Sequence, residues 1–263
     1  MSDNYEKYAF YAWDILSENA KNKKTIAYKE LTDQIGFKLY VRQIGRVLDP
    51  IQIFCMEEKL PPLTIIAVGT YSRKPGAGFT AWEDDNFENL KNKVFNFNWF
   101  SLQNPFFYTQ KGQTTDKMAK ELIRDSSKIR EFTTIVKSRG IHQIIFRKMM
   151  LDIYDKCVFC GFSTIEALDA VHIKRWEKCA DIEKLDKKNG ILLCSTHHKL
   201  FDCKYLNVSD DYRIISGKTT PIINKYDEYF IKDLIGKKIY LPISENDYPS
   251  LEYFKFHREK VKA

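Results

Sequence analysis

Apolar residues recur at helical spacing in three stretches of the first sixty residues. Residues 4–19 place tyrosine, alanine, isoleucine and leucine along one side of an amphipathic helix. Residues 24–36 predict a short extended segment and a second short helix that ends at Gly36, since glycine favours helix termination. Residues 41–60 predict a third helix, with an interruption near Pro50, because proline lacks the backbone donor that a helix interior needs.

The pattern then changes to one typical of a strand and a turn. The apolar run LTIIAVG at 63–69 predicts a buried strand, and the proline and glycine residues of 70–79 predict a turn. Three helices, a strand and a glycine-rich loop follow the element order of a winged helix. This half resembles the small winged-helix domains that accompany some restriction nucleases, although a helix-rich scaffold or protein-contact module is the alternative. The resemblance implies DNA contacts from the third helix and the wing, through Arg42, Gln43, Arg46, Arg73 and Lys74.

A second set of elements begins at residue 140. Apolar residues at helical spacing predict a helix over 140–156. An apolar stretch that ends in His172 predicts a strand, and a polar loop follows over 173–187. The pair Asn189-Gly190 is a hairpin signal, and the apolar residues after it predict a second strand. A helix is expected from His197 onward, which gives the order strand, loop, strand, helix.

These elements predict an α+β protein in three segments. We expect a winged-helix-like DNA-reading domain at 1–100, a linker and charged helix at 101–138, and a zinc-stabilised nuclease domain with a C-terminal extension at 139–263. No run of roughly 18 apolar residues occurs, and the N-terminus differs from a signal peptide. We therefore expect a cytoplasmic protein that has no membrane partner.

The net charge of +7 is unevenly distributed. Residues 1–100 carry 13 basic and 13 acidic residues, whereas residues 111–148 carry ten basic and four acidic residues. A basic region of this kind suits a polyanion, because neutralised phosphates release counterions. A solvated helical face would produce the same charge pattern, so charge alone leaves both interpretations open.

The cysteines supply the first specific chemistry. Cys157 and Cys160 are separated by two residues, and Cys194 and His197 repeat that spacing further along the chain. Three thiolates and one imidazole form a closed tetrahedral set for Zn²⁺, and closed sets are structural and not catalytic. The alternative is a set of buried cysteines with a chance histidine, which the matched spacing disfavours.

Residues 139–215 closely resemble the HNH nuclease family, which has the ββα-metal fold. The matching residues are His172, Asn189 and His198, and the two zinc knuckles flank them. His198 is expected to point away from the zinc, since neighbouring helical side chains diverge by about 100°. The sequence HHKLFD and the C-terminal tail look like the bacterial restriction-type subgroup of that family.

The resemblance implies a role for each motif residue. His172 would be the general base that takes a proton from water, and Asn189 would hold the loop that orients His172. His198 would help to hold one catalytic Mg²⁺ or Mn²⁺ ion. Three further residues are candidates for phosphate contacts, although each could be an ordinary surface charge: Lys174, Arg175 and Lys199.

The sequence departs from the family at the residue before the first histidine. Many HNH nucleases have an aspartate there as a metal ligand, whereas this chain has Val171. Asp169 could supply the missing carboxylate, and so could Asp202, which lies on the same helical face as His198. Asn189 or water are further candidates, and Asp202 could instead cap its helix.

The resulting hypothesis is a metal-dependent DNA endonuclease, with a role in restriction or defence that rests on the resemblance alone. A homodimer is plausible, because cutting both strands usually needs two active sites. The alternative is a non-catalytic, zinc-stabilised DNA-binding regulator, which would have no need for His172 and His198 together. RNA is a third option for the substrate.

Overall fold

Residue contacts divide the chain into two units. The computed structural model describes residues 5–36, 39–76, 78–79, 86–218, 222 and 224–259. One unit comprises Met1–Thr114 with Ile135–Gln143, and the other comprises Thr115–Thr134 with Ile144–Ala263. The segment 101–138, expected as a linker and charged helix, is thus shared between the two units.

Helices dominate the first unit. They are α1 (Tyr5–Lys21), α2 (Tyr28–Ile35), α3 (Ile44–Glu57) and α4 (Phe87–Asn96). The buried face of α1 packs against α2 and α3, which confirms the amphipathic pattern of residues 4–19 within the described range. Trp13 lies at the centre of this core, with its ring edge-on to Phe54 and Trp99 at centroid distances of 5.3 and 5.6 Å. Such edge-to-face aromatic pairs add stability beyond the area that they bury.

The predicted interruption at Pro50 is wrong. Helix α3 continues through Pro50, and a 3-10 turn at Val41–Gln43 precedes it. Proline removes the hydrogen bond to the carbonyl of Arg46, which lies on the exposed side of the helix where water can replace the donor. Burial of Val47 and Ile51 in the core holds the helix together across this position.

The predicted strand at 63–69 is also largely wrong. Leu63–Ile66 form a 3-10 turn, and the strand itself, β2, is limited to Ala67–Val68. Leu63, Ile65 and Ile66 are fully buried, and the turn packs against α1, α3 and α4. A short apolar run indicates burial but cannot distinguish an extended segment from a helical one.

The two strands of the first unit form a small parallel pair. Strand β1 (Ile26–Ala27) pairs with β2 in the register Ile26 to Ala67 and Ala27 to Val68. The turn after β2 is closed by the Gly69 amide, which donates to the Lys74 carbonyl at 2.9 Å. Residue 77 of the predicted wing lies outside the described residues, and so do residues 80–85 after it. The winged helix therefore stays a prediction.

The rest of the chain forms six helices and four strands among the described residues. The helices are α5 (Thr115–Arg124), α6 (Ile129–Ile135), α7 (Arg139–Ile153), α8 (Ser195–Asp202), α9 (Lys225–Phe230) and α10 (Leu251–Glu259). The strands are β3 (Leu168–His172), β4 (Gly190–Cys194), β5 (Leu206–Val208) and β6 (Ile214–Ser216). Mixed helices and small sheets agree with the predicted α+β class. No helix in the described parts of the chain has the length and apolar character needed to span a bilayer.

Strands β3 and β4 and helix α8 form a ββα arrangement. The strands pair antiparallel, with Leu168 opposite Cys194 and His172 opposite Gly190, and α8 packs on both strands. The predicted order of strand, loop, strand and helix is confirmed. The hairpin predicted from Asn189-Gly190 is present as this antiparallel pair, but the two residues do not form its turn, because Asn189 ends a 3-10 turn and Gly190 starts β4 in an extended conformation.

Gly190 is explained by packing and not by turn geometry. A Cβ atom at this position would overlap the side chains of Met150 and Phe146, both of helix α7. Glycine thus lets β4 approach α7 closely at the point where His172 lies opposite on β3. The side chains of Met150 and Phe146 are fully buried, so the start of β4 packs on an apolar surface of α7.

Candidate functional site

Four ligand-type side chains of the second unit form one compact cluster. The potential ligand atoms of Cys157, Cys160, Cys194 and His197 all lie within 4.8 Å of one another. Nδ1 of His197 is 3.6 Å from Sγ of Cys157 and 3.1 Å from Sγ of Cys194. Zinc–sulfur bonds of about 2.3 Å and a zinc–nitrogen bond of about 2.0 Å would place tetrahedral ligands roughly 3.6 Å apart. The cluster therefore has the donors and the spacing of a structural zinc site.

The backbone shapes this cluster from two directions. The Cys157 amide donates to the Phe162 carbonyl at 2.7 Å, and the Gly161 amide donates to the Cys157 carbonyl at 2.9 Å. Gly161 has a φ of +79°, which a residue with a side chain adopts only with strain. The Val158 amide donates to the Leu192 carbonyl of β4 at 2.9 Å, so the Cys157–Cys160 turn is attached to the strand that ends at Cys194.

The side chains of the cluster share hydrogen bonds that shift their pKa values in opposite directions, and contacts with Cys160 and Cys194 raise the pKa of the Cys157 thiol. Hydrogen bonds from Cys157 and Cys160 hold the pKa of the Cys194 thiol far below its usual range, which favours the thiolate. Burial lowers the pKa of His197, but its contacts with Cys160 and Cys194 outweigh burial and raise the pKa to about 9. Nε2 of His197 lies 3.1 Å from the Phe230 carbonyl, which can only accept a hydrogen bond. That contact leaves Nδ1 as the metal-facing nitrogen once the ring is neutral.

The adjacent histidine belongs to a different group. His198 is directed away from the cysteines, as the helical geometry predicted, and lies between two carboxylates. Its Nδ1 is 3.0 Å from Oδ2 of Asp169 on β3, and its Nε2 is 3.7 Å from Oδ2 of Asp202 on α8. The hydrogen bond with His198 lowers the pKa of Asp169, and the same bond raises the pKa of His198. We call Asp169, His198 and Asp202 the carboxylate–histidine group.

The other motif histidine lies at the end of β3. The ring of His172 stacks on Phe146 with centroids 3.6 Å apart and planes at 12°, and its edge meets Trp176. Nε2 of His172 lies 3.0 Å from the Lys184 carbonyl. Because that carbonyl can only accept, Nε2 carries the proton and the lone pair of a neutral ring resides on Nδ1.

Strand β3 carries both His172, at its end, and Asp169, the partner of His198. Side chains alternate along a strand, so Asp169 and His172, three positions apart, leave opposite faces of β3. Arg175 donates to the Asp202 carbonyl at 2.8 Å, which brings the end of α8 beside the chain segment that follows His172. Convergence of His172 and His198 on one cavity stays a prediction.

Asn189 is completely buried and holds the long loop between β3 and β4. Its Oδ1 accepts from the Lys174 amide at 2.8 Å, and its Nδ2 donates to the Glu183 carbonyl at 3.1 Å and to Sγ of Cys179 at 3.2 Å. The Ile173 amide also donates to the Asn189 carbonyl at 2.9 Å. This fully buried side chain therefore joins Lys174 and Glu183, two positions of the loop that lie nine residues apart.

The three candidate phosphate contacts of this unit have different environments. Nζ of Lys174 pairs with the Glu183 carboxylate at 2.6 and 2.8 Å, and both side chains are largely shielded from solvent. The Lys174 ammonium group is therefore already paired with Glu183 within the loop. Arg175 and Lys199 are both exposed, which suits a contact with a polyanion.

The five candidate DNA contacts of the first unit lie on its surface. The Arg42 guanidinium is 5.4 Å from the centre of the Tyr40 ring, whereas Gln43 and Arg46 both donate to the hydroxyl of Tyr5, at 3.0 and 3.2 Å. Gln43 is thus partly committed to a structural contact.

The remaining two candidates occupy the turn after β2. Arg73 donates to Oγ1 of Thr25 at 3.2 Å, and both Arg73 and Lys74 are exposed. Because both side chains are exposed, DNA contact by Arg73 and Lys74 stays a prediction.

Sequence inspection missed the residues that contact His172, His197 and Asn189. Phe146 supports His172 from α7, and the Phe230 carbonyl supports His197 from the end of α9. Sγ of Cys179 accepts a hydrogen bond from Nδ2 of Asn189 and donates one to the Lys174 carbonyl at 3.1 Å. The partners in these pairs lie between 5 and 33 residues apart along the chain, and no local spacing identifies them.

Comparison with known families agrees with the geometry. The family model described as HNH endonuclease matches residues 157–208. The match includes the four cluster residues and the carboxylate–histidine group, and it extends from the Cys157 turn to the end of β5. Comparison with curated proteins returns no match. The matched segment is an HNH domain, and such a domain indicates metal-dependent nuclease activity.

Proposed function

We propose that the second unit is a metal-dependent DNA endonuclease, in which residues of β3 and α8 carry the chemistry. The observation that supports this proposal most directly is the carboxylate–histidine group inside the segment that matches HNH endonucleases. A restriction or defence role and a requirement for Mg²⁺ or Mn²⁺ are part of the proposal.

His198 and Asp202 are the residues we assign to the catalytic ion. The Asp169 carboxylate accepts a hydrogen bond from Nδ1 of His198, which would leave Nε2 available, as in many metal-bound histidines. The separation of 3.7 Å between Nε2 and Oδ2 of Asp202 exceeds the roughly 3.0 Å expected between neighbouring octahedral ligands at about 2.1 Å, so joint binding of one ion would need a small side-chain rotation. Asp169 therefore orients His198 in this proposal and is not itself a ligand, which replaces the ligand role first considered for it.

His172 acts as the general base. The Lys184 carbonyl holds the proton on Nε2, so Nδ1 can accept a proton from the attacking water. Stacking on Phe146 fixes the plane of the ring, and Asn189 fixes the loop that supplies Lys184. The water proton passes to Nδ1, the hydroxide oxygen bonds to phosphorus, the bond from phosphorus to the 3′ oxygen breaks, and the 3′ oxygen takes a proton from solvent water. The products are a 5′-phosphate and a 3′-hydroxyl.

A bound divalent ion supplies charge stabilisation at the phosphate and at the departing 3′ oxygen. The four-residue cluster has a different task, because a closed set of three cysteines and one histidine leaves no position for water or substrate. Zinc in that cluster would fasten the Cys157 turn to β4 and to the start of α8. The proposed nuclease thus separates a structural metal from a catalytic one.

The first unit is proposed as the DNA-reading part. Its exposed Arg42 and Arg46 would contact DNA from the start of α3, and Arg73 and Lys74 would contact it from the turn after β2. A homodimer would provide a second active site for the opposite strand.

The decisive experiment is a cleavage assay with purified protein and supercoiled plasmid. We expect nicked or linear DNA in the presence of Mg²⁺ or Mn²⁺, and none when added divalent ions are omitted. Unmodified and modified phage DNA, followed by sequencing of the ends, would establish the site preference and the 5′-phosphate products. Absence of cleavage on every DNA, together with retained DNA binding, would favour a regulator over a nuclease.

The assignment of the two aspartates leads to a distinct prediction. Asp202→Asn should weaken Mn²⁺ binding, measured by electron paramagnetic resonance, because it removes a ligand. Asp169→Asn should weaken Mn²⁺ binding by about 10–100-fold, the effect of losing an orienting partner, and the loss for Asp202→Asn should be at least as large. Zinc content should remain unchanged in both variants. Unaltered Mn²⁺ affinity in Asp202→Asn would remove Asp202 from the ligand set.

A further inference from the structure

A basic cavity lies next to the carboxylate–histidine group in the second unit. It has a volume of about 310 Å³, and its charged lining comprises Arg175, Lys178, Lys204, Lys218 and one carboxylate, Asp202. The four basic residues come from three separate segments: the loop after β3, the end of α8 and the end of β6. Positive charge is thus gathered here by the fold and not by a run in the sequence.

Backbone contacts hold two of these segments together. The Lys218 amide donates to the Lys204 carbonyl at 2.9 Å, and the Gly217 amide donates to the Tyr205 carbonyl at 3.0 Å. A Cβ atom at Gly217 would overlap the Lys204 carbonyl, so only glycine allows this close approach. Nζ of Lys204 donates to the His257 carbonyl at 2.6 Å, which anchors that side chain to α10. Specific contacts therefore hold the segments that line the cavity.

The positive potential also affects the histidine in its wall. His257 is 3% exposed and stacks on Phe201, with centroids 3.8 Å apart and planes at 1°. Burial, followed by the charges of Lys204 and Arg175, lowers the pKa of His257 to about 3, so its ring is neutral. His257 therefore adds no positive charge to the cavity.

The single carboxylate of the cavity is already engaged. Oδ2 of Asp202 lies 3.7 Å from Nε2 of His198, and Oδ1 lies 4.0 Å from the Arg175 guanidinium. Asp202 therefore forms a common wall between the cavity and the carboxylate–histidine group, with its oxygens near His198 and Arg175. An anion in the cavity would lie on the other side of Asp202 from a phosphate at His198.

We propose that this cavity binds a phosphodiester group of the DNA backbone next to the scissile one, with Arg175, Lys178 and Lys218 as its contacts. The proposal rests on the proposed nuclease function, and it gives that function a subsite that fixes the register of the cut strand. Phosphate contacts from several directions position a duplex without reading its sequence. Lys178 and Lys218 were not among the residues that the motif resemblance identified.

The test compares two double variants with equal loss of charge. K178Q/K218Q removes two lysines that line the cavity. K225Q/K232Q removes two lysines of the same unit that do not line it. Affinity for a duplex is measured without added divalent ions at several salt concentrations. We expect the slope of log K against log salt to fall by about 2 for K178Q/K218Q and to change far less for the control.

A second measurement locates the contact. Duplexes that carry one uncharged methylphosphonate are scanned along the cleaved strand with the wild-type protein and with K178Q/K218Q. We expect a methylphosphonate beside the cleavage site to lower the DNA affinity of the wild type. The same methylphosphonate should not lower the DNA affinity of K178Q/K218Q further, because that variant already lacks the contact. Equal behaviour of the two double variants, while the wild type still binds and cuts DNA, would overturn the subsite and leave the nuclease intact. A wild type that neither binds nor cuts DNA would overturn both.

Discussion

Replacement of His172 by alanine is expected to lower the rate of DNA cleavage by about 10²–10⁴-fold, the usual contribution of a general base. The physical reason is that Nδ1 of His172 takes the water proton while the Lys184 carbonyl holds the ring by Nε2. Single-turnover cleavage of a labelled duplex with saturating Mg²⁺ measures this change. DNA affinity should be retained, since the imidazole supplies no fixed positive charge.

A second substitution separates chemistry from folding. The ring of His172 packs on Phe146, so alanine could also loosen the loop. His172→Gln preserves a donor for the Lys184 carbonyl but cannot take a proton near neutral pH, and it should be as inactive as alanine with a normal melting temperature. A glutamine variant that cuts DNA at the wild-type rate would exclude His172 as the base.

Replacement of Cys157 by serine is expected to remove zinc and to unfold the second unit. A structural zinc contributes about 10–16 kcal/mol in zinc-finger peptides, which matches or exceeds the 5–15 kcal/mol by which ordinary domains are stable. Cys157 is fully buried, and its Sγ faces Nδ1 of His197 at 3.6 Å, so serine would leave three ligands around a poorly held ion. Zinc content by mass spectrometry and thermal unfolding by circular dichroism measure the effect.

Cys203→Ser is the matched control for this experiment. Cys203 is a half-buried cysteine of the same unit and lies outside the four-residue cluster. We expect its zinc content and unfolding temperature to equal those of the wild type. A Cys157→Ser protein that keeps its zinc, or that unfolds at the wild-type temperature without zinc, would remove the structural role of the metal.

Local patterns were good predictors where one element decided the outcome. The helices near 4–19 and 140–156 and the ββα order were predicted correctly, because burial follows the period of the element itself. Pro50 and the run 63–69 were predicted incorrectly, since packing against neighbouring helices overrode the local preference. Asn189-Gly190 shows a third case, in which a turn-like pair serves a buried loop and a close helix contact.

The zinc ligands were accessible from spacing alone, whereas the partners of the histidines were not. Two residues between ligands fix a local turn, so Cys157 and Cys160 and the second pair could be recognised without any structure. The pairing of Asp169 with His198 joins residues 29 positions apart. This pairing depends on the register of β3 against β4 and on which face of α8 packs against these strands.

The sequence by itself determined the helical and strand periodicity, the four metal-binding side chains and the divergent directions of His197 and His198, because each depends on residues a few positions apart. Only the tertiary structure decided which carboxylate lies at each nitrogen of His198, what fixes the His172 ring, and where Lys178, Lys204 and Lys218 meet. These arrangements join distant segments. Their geometry is set by side-chain packing and strand register, which no spacing along the chain encodes.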